Sequence, residues 1–296
     1  MGRRLPRLVA TDLDGTLLRA DKTISPRTVE ALSRIAAEGA DVVLVTGRPI
    51  RWLQHVYDQL AEPLPTICAN GAVVYDPVTD QVLRADPLAP DLLAEVVQRL
   101  RAEVPEVSFA VEITDGREFR HELAYPLNWE HGYPNIRSLE SATDLHAVPA
   151  VKLLARAAGQ DPDAFVKVVA GALAGLAEAT HSSYSGLIEI SAGGVTKAAG
   201  LAWYCARHGV DPADVVAFGD MPNDVPMLTW AGRSVAVANA HRAVLEIADE
   251  VTAVNEEDGV AAYLERLLDS DRPDATAGPD PTAGPDAHAG ERTGSA

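Results

Sequence analysis

Asp12 and Asp14 stand one residue apart, followed by Gly15-Thr16, where the apolar run Leu8-Val9-Ala10 ends. A strand that finishes this way aims both carboxylates at the carboxyl edge of a sheet, the edge where open α/β sheets bind ligands. Two unit charges about 4 Å apart, at an effective dielectric of about 20, repel by about 4 kcal/mol. Something positive must offset that cost, which implies a divalent metal. Three further polar clusters sit at strand ends or helix starts: Thr46-Gly47-Arg48, Lys197, and Asp220-Met221-Pro222-Asn223-Asp224. The four clusters together describe an acidic pocket with one fixed cation and small hydroxyl donors. Oxygen ligands of this kind suit magnesium. Threonine and lysine suit the oxygens of an anion, and a metal bridging a carboxylate and a phosphate fits phosphoryl transfer. Lysine is scarce here, at positions 22, 152, 167 and 197 only, so a lysine between a glycine pair and a helix start hints at a chosen role.

These clusters need elements to position them. Buried-type strands are expected at 8–11, 41–45, 66–69 and 214–218, with further strands at 234–238 and 250–254. Helices are expected between them: Ser25 reads as an N-cap with Pro26 first in the helix and Gly39 ending it, a second helix spans 49–61, a third 197–209 and a last 259–268. Alternating strands and helices of this kind predict an α/β fold with a doubly wound parallel sheet. The run 72–75 either continues the third strand or opens a hairpin. From 82 the texture changes: a helix over 90–101, a strand over 107–113, a turn at 114–116, a return strand over 117–120, no period over 125–134, a strand over 150–155, a helix from 162 and a strand over 185–191. That middle segment predicts an inserted α+β domain. The division expected is core over 1–81 and 191–268, insertion over 82–190, and a disordered acidic tail over 269–296, where Thr-Ala-Gly-Pro-Asp repeats and no core can be buried.

Composition narrows the function. The chain has 296 residues, 47% of them hydrophobic, and a formal charge of −18 with no basic run. Nucleic-acid binding is not expected, and no apolar run approaches the ~20 residues a membrane span needs. Cys68 and Cys205, each among apolar neighbours, read as reduced buried thiols, and the expected location is the cytoplasm.

With these motifs in this order, the sequence resembles the haloacid dehalogenase superfamily over residues 7–268, and within it the Cof-type branch (subfamily IIB). Asp12-Leu13-Asp14-Gly15-Thr16 corresponds to the first motif, Thr46 to the second, Lys197 to the third and Gly219 through Asp224 to the fourth. The resemblance implies a core domain with a cap inserted between the second and third motifs. It implies that Asp12 is a nucleophile forming an aspartyl-phosphate and that Asp14 is the general acid and then the base. It implies that Thr46 and Lys197 hold the phosphoryl group. Magnesium would take the Asp12 side chain, the Asp14 backbone carbonyl and Asp220, with Asp224 a direct or indirect ligand. Asn223 would touch phosphate or hold Lys197. An aspartate at position 14 favours a phosphatase, since relatives that preserve the phosphoenzyme carry threonine there.

Other residues remain open at this stage. Gly47 follows Thr46 in the phosphate-binding turn. Arg48 either reaches substrate or pairs with a neighbouring carboxylate, and Asn70 either lines the pocket or forms a turn. Tyr125, Trp129, His131 and Tyr133 could face the site or fill the cap core, and the exposure of Glu189 is open. The expected function is a magnesium-dependent phosphatase for a small phosphomonoester, a sugar phosphate or a phosphorylated vitamin, acting as monomer or dimer. The alternatives are a phosphomutase and a non-catalytic binding module on the same fold.

Overall fold

A computed structural model describes residues 5–113, 116–127, 136–139, 142–157, 159–182 and 186–270. The chain begins with β1 (Leu8–Thr11), α1 (Pro26–Ala37), β2 (Asp41–Val45), α2 (Gln54–Tyr57), β3 (Thr66–Cys68), β4 (Val73–Asp76) and β5 (Gln81–Ala85). It continues through α3 (Pro90–Glu103), β6 (Ser108–Ile113), β7 (Glu118–Glu122), β8 (Ile136–Leu139), β9 (Ala150–Arg156), α4 (Pro162–Ala172), β10 (Ala177–Thr180) and β11 (Leu187–Ala192). It closes with α5 (Lys197–His208), β12 (Val215–Gly219), α6 (Val225–Trp230), β13 (Arg233–Val237), α7 (Arg242–Leu245), β14 (Glu250–Thr252) and α8 (Gly259–Ser270).

Two sheets result. The larger has the order β14-β13-β12-β1-β2-β3-β4-β5. It is parallel from β14 to β3 and antiparallel at β3–β4 and β4–β5. Val9, Leu44, Phe218 and Val235 pack on one face with α1 and α8, while Leu8, Val43, Ala217 and Ala236 pack on the other with α5, α6 and α7. Burial on both faces explains why these strands read as continuous apolar runs. The smaller sheet has the order β10-β11-β9-β6-β7-β8 and is antiparallel except at β7–β8. Its apolar face, with Phe109, Leu153 and Ile190, packs against α3 and α4 around Leu93, Val96, Phe165 and Val169. Chain-distant strands complete the larger sheet: β1 pairs with β12, Leu8 opposite Val215.

Several expectations are corrected. The helix expected over 49–61 is a 3-10 turn at Ile50–Trp52 and the single turn of α2, because 58–63 carries little to bury and Pro63 and Pro65 follow. Of the two readings open for residues 72–75, the hairpin holds: they turn back to pair with β3. The larger sheet runs to Ala85, past the boundary expected at 82, and β11 of the smaller sheet runs past 190. β8 and β10 were not anticipated. α8 extends through Ser270, and the tail beyond it lies outside the described residues, as do Trp129, His131 and Tyr133. Tyr125 is buried in a small cluster with Phe119. Both cysteines are free and buried. No helix among the described residues is long and apolar enough to cross a membrane.

Candidate active site

The ends of β1, β2 and β12 converge on one cleft of about 560 Å³. Asp12 follows β1 and hydrogen-bonds through its backbone N–H to the carbonyl of Phe218 on β12. Gly15, at φ +86°, turns the chain immediately afterwards, and a Cβ there would meet Asp220 Oδ2 at 2.4 Å. That glycine is what lets the first and fourth motifs approach. Lys197 opens α5, whose N-cap Thr196 accepts from the Ala199 amide. The helix start is drawn against the sheet because Gly71, at φ +104°, passes close to the Thr196 carbonyl, where a Cβ would clash at 2.0 Å.

The inner part of the cleft is a buried carboxylate cluster. Lys197 Nζ donates to Asp12 Oδ1 and to Asp224 Oδ1, each at 2.6 Å, with its side chain fully buried. Asp224 Oδ2 accepts from the backbone N–H groups of Asp220 and Met221, each at 3.0 Å. Asp220 Oδ1 accepts from the Thr16 hydroxyl at 2.8 Å. Burial pushes the Asp12 carboxyl well above the usual range, with Asp224 and Asp220 adding to it against Lys197. Burial and the Asp224 charge push Asp220 up to about 7. Burial works against the Lys197 ammonium, but Asp12 and Asp224 outweigh it and hold its pKa above the ordinary lysine value. Carboxylate oxygens of Asp12, Asp220 and Asp224 lie within 4.8 Å of one another. Three buried carboxylates against one ammonium form an all-oxygen donor set with excess negative charge, which fits a divalent cation of the magnesium kind.

Asp14 behaves differently. Arg48 grips it with Nε to Oδ2 at 2.5 Å and Nη2 to Oδ1 at 2.7 Å, and Lys22 Nζ donates to Oδ1 at 2.8 Å. Burial alone would raise its pKa, but the Arg48 bonds and charge, with Lys22, hold it down to about 2. Its carboxylate therefore lies outside the inner cluster, and Arg48 takes the salt-bridge role of the two open to it. Arg48 Nη1 also meets His55 Nε2 at 2.8 Å, and burial and then the Arg48 charge lower the His55 pKa. Thr46 is buried, lines the cleft and accepts from the Arg48 amide at 3.0 Å. Asn70, at φ +58° in a tight turn, accepts from Asn223 Nδ2 at 3.1 Å. Asn223 lines the cleft and holds Asn70; Lys197 is held by Asp12 and Asp224 instead.

A sequence model of haloacid dehalogenase-like hydrolases matches residues 9–264. The chain belongs to that family. A curated relative, 5-amino-6-(5-phospho-D-ribitylamino)uracil phosphatase YitU of Bacillus subtilis, is 32% identical over 275 residues, covering 88% of this chain and 96% of the relative. Pyridoxal phosphate phosphatase YbhA of Escherichia coli is 32% identical over 270 residues, covering 87% and 97%. Among solved structures, the sugar phosphatase BT4131, of haloacid dehalogenase subclass IIB, superposes with a TM-score of 0.74 at 21% identity, covering 88% of this chain and 99% of that one. The resemblance to Cof-type members of the superfamily holds, and the chain is an enzyme of its phosphatase class.

In this haloacid dehalogenase-like enzyme the cap adds residues that the motifs did not mark. Lys152 on β9 donates to the Gly47 carbonyl and to Glu189 Oε1 on β11, each at 2.5 Å. Burial disfavours the Glu189 charge, but Lys152 holds its pKa below the usual value. Arg51, in the 3-10 turn of the core, forks onto Glu112 of β6 at 2.5 and 2.9 Å, with both side chains buried. These pairs tie the cap to the core beside the cleft. The scarcity of lysine, applied to Lys152 as it was to Lys197, would have flagged the first pair. No comparable signal marks the second.

Proposed function

We propose that this enzyme hydrolyses a small phosphomonoester with Mg²⁺, through an aspartyl-phosphate on Asp12. The observation that carries the reading is Asp12 itself, buried at the floor of an open cleft, aligned by Lys197 and set among carboxylates with a divalent-cation donor set. Asp12, Asp220 and Asp224 would hold the metal, which when bound supplies the positive charge that lets a phosphate dianion approach an anionic nucleophile. Asp12 attacks phosphorus and the bond from phosphorus to the leaving oxygen breaks. The Thr46 hydroxyl and the Lys197 ammonium receive the phosphoryl oxygens. Asp14, which takes up a proton from solvent once free of Arg48 and Lys22, gives it to the leaving alcohol and then takes one from the water that hydrolyses the acyl phosphate. For that Asp14 must leave the Arg48 fork, where its carboxylate is fully engaged.

The substrate class proposed is a small phosphorylated metabolite, a sugar phosphate or a phosphorylated vitamin, which the cleft volume and the names of the relatives support. The test is phosphate release from a broad panel of phosphomonoesters with Mg²⁺ and with chelator, using Asp12→Asn as control. Release that depends on Mg²⁺ and vanishes in Asp12→Asn is the expected result. Undiminished turnover in Asp12→Asn overturns the mechanism.

A further inference from the structure

The charges lining the cleft divide unevenly once the inner site is set aside. Asp12 and Asp220 belong to the metal cluster, and Glu189 is matched by Lys152. Among the described residues, what remains on the outer wall is one carboxylate, Asp14, held by two cations, Lys22 and Arg48, with Arg156 a third cation lining the cleft. In a chain of formal charge −18, a cationic surplus at a cleft mouth runs against the average composition. Lys22 also takes a left-handed backbone at φ +68°, which a non-glycine residue adopts at a cost of order 1 kcal/mol. That strained turn aims its ammonium at Asp14 from a half-exposed position.

The geometry of the outer wall is that of a carboxylate receptor. The guanidinium of Arg48 presents two parallel N–H groups to the two oxygens of Asp14, the planar match that arginine makes with carboxylates. Arg48 is itself buried and braced by contacts to His55 and the Trp52 carbonyl, so the fork is fixed, whereas the Asp14 carboxylate is partly exposed to the cleft. In the phosphatase reading on which this rests, Asp14 has to move and Arg48 does not. Departure of Asp14 alone would leave a buried guanidinium without a counterion, which is strongly unfavourable.

We propose that the leaving group of the preferred substrate carries a carboxylate, which takes over the Arg48 fork and the Lys22 ammonium as Asp14 leaves them. No bond is made or broken in this step; one carboxylate replaces another on the same donors. The substrate anion thereby releases Asp14 toward the ester oxygen, and esters lacking such a group bind without freeing it.

The test is a matched pair of esters that differ at one carbon: 3-phosphoglycerate, with a carboxylate, and glycerol 3-phosphate, with a hydroxymethyl group in its place. With Mg²⁺ present, kcat/KM of the wild-type enzyme is expected to be at least about tenfold higher for 3-phosphoglycerate. In Arg48→Met the ratio is expected to fall to about one. Lys22→Ala is expected to lower the ratio severalfold. Release from other esters without a preference for 3-phosphoglycerate overturns this inference and leaves the proposed function standing. An equal loss for both esters in Arg48→Met also overturns it, because Arg48 would then serve the transferring phosphate common to both. Absence of release from every ester of the panel overturns the proposed function itself.

Discussion

Asp12 and Asp14 are separated by the single residue Leu13 and are chemically identical, yet the fold sends their properties in opposite directions. Asp12 turns into a buried cluster with two other carboxylates and one lysine, and burial raises its pKa. Asp14 turns outward to a fixed guanidinium and a surface lysine, which hold its pKa down to about 2. The contrast shows how little of a carboxylate's role resides in its type. The inner site concentrates negative charge and so calls for a metal. The outer wall concentrates positive charge and so calls for an anion. A phosphomonoester has to satisfy both at once.

The comparison can be broken most sharply at Asp12. Asp12→Asn should abolish phosphate release, a loss of 10³-fold or more, while the metal-free protein keeps its fold or gains stability because one of three buried negative charges is gone. Phosphate release and thermal melting on the same sample check both halves. Next in size is Lys197→Met, which leaves the inner carboxylates without their ammonium. Breaking a buried pair costs about 3–5 kcal/mol, so urea unfolding should show a large loss, partly restored by Mg²⁺.

Breaking the cap link by Glu112→Gln should cost a similar few kcal/mol, since Arg51 is buried with it. Replacing both partners by apolar residues, Arg51→Met with Glu112→Leu, should recover most of that in the same unfolding measurement. A smaller effect concerns pH. Asp220, pushed up to about 7, and Asp12, also raised, bind protons in the folded state that the unfolded chain has lost. The metal-free protein should therefore lose stability as pH rises from about 4 through 7. Mg²⁺ competes with those protons, so its shift of Tm should be larger at pH 8 than at pH 5. The smallest expected effect is on stability in Lys22→Ala: an exposed pair of this kind contributes at most about 1 kcal/mol. A larger loss would mean that the outer wall is as structural as the inner site.

Much of the inner site was legible because its residues end strands or begin helices, where an apolar run stops abruptly at Asp, Thr or Lys. Asp12, Thr46, Lys197 and Asp220 are found that way. The environment of Asp14 was not legible, because a carboxylate just past a strand end can turn to either side, and Arg48 and Lys22 decide which. Arg51 and Glu112 were invisible for a different reason: in sequence each is an ordinary charge, and only the docking of β6 over the 3-10 turn buries them. The parallel sheet was readable from apolar runs covered on both faces. β8 and β10 were missed because, with only one residue of eight buried between them, they lack both a continuous run and a clean alternation.

The pairing of β1 with β12 bears on how the molecule is made. Leu8 and Val215 are neighbours in the sheet but are separated by the whole cap. At about 5–20 residues per second of synthesis, some 10–40 s pass between the emergence of β1 and that of its partner. During that interval one edge of β1, an apolar strand, has no native neighbour and is a template for pairing with other chains. The cap, whose own apolar core lies within residues 88–190, can collapse before the core sheet closes. The apolar core of the cap can thus form before Asp12 meets Lys197 and Asp220.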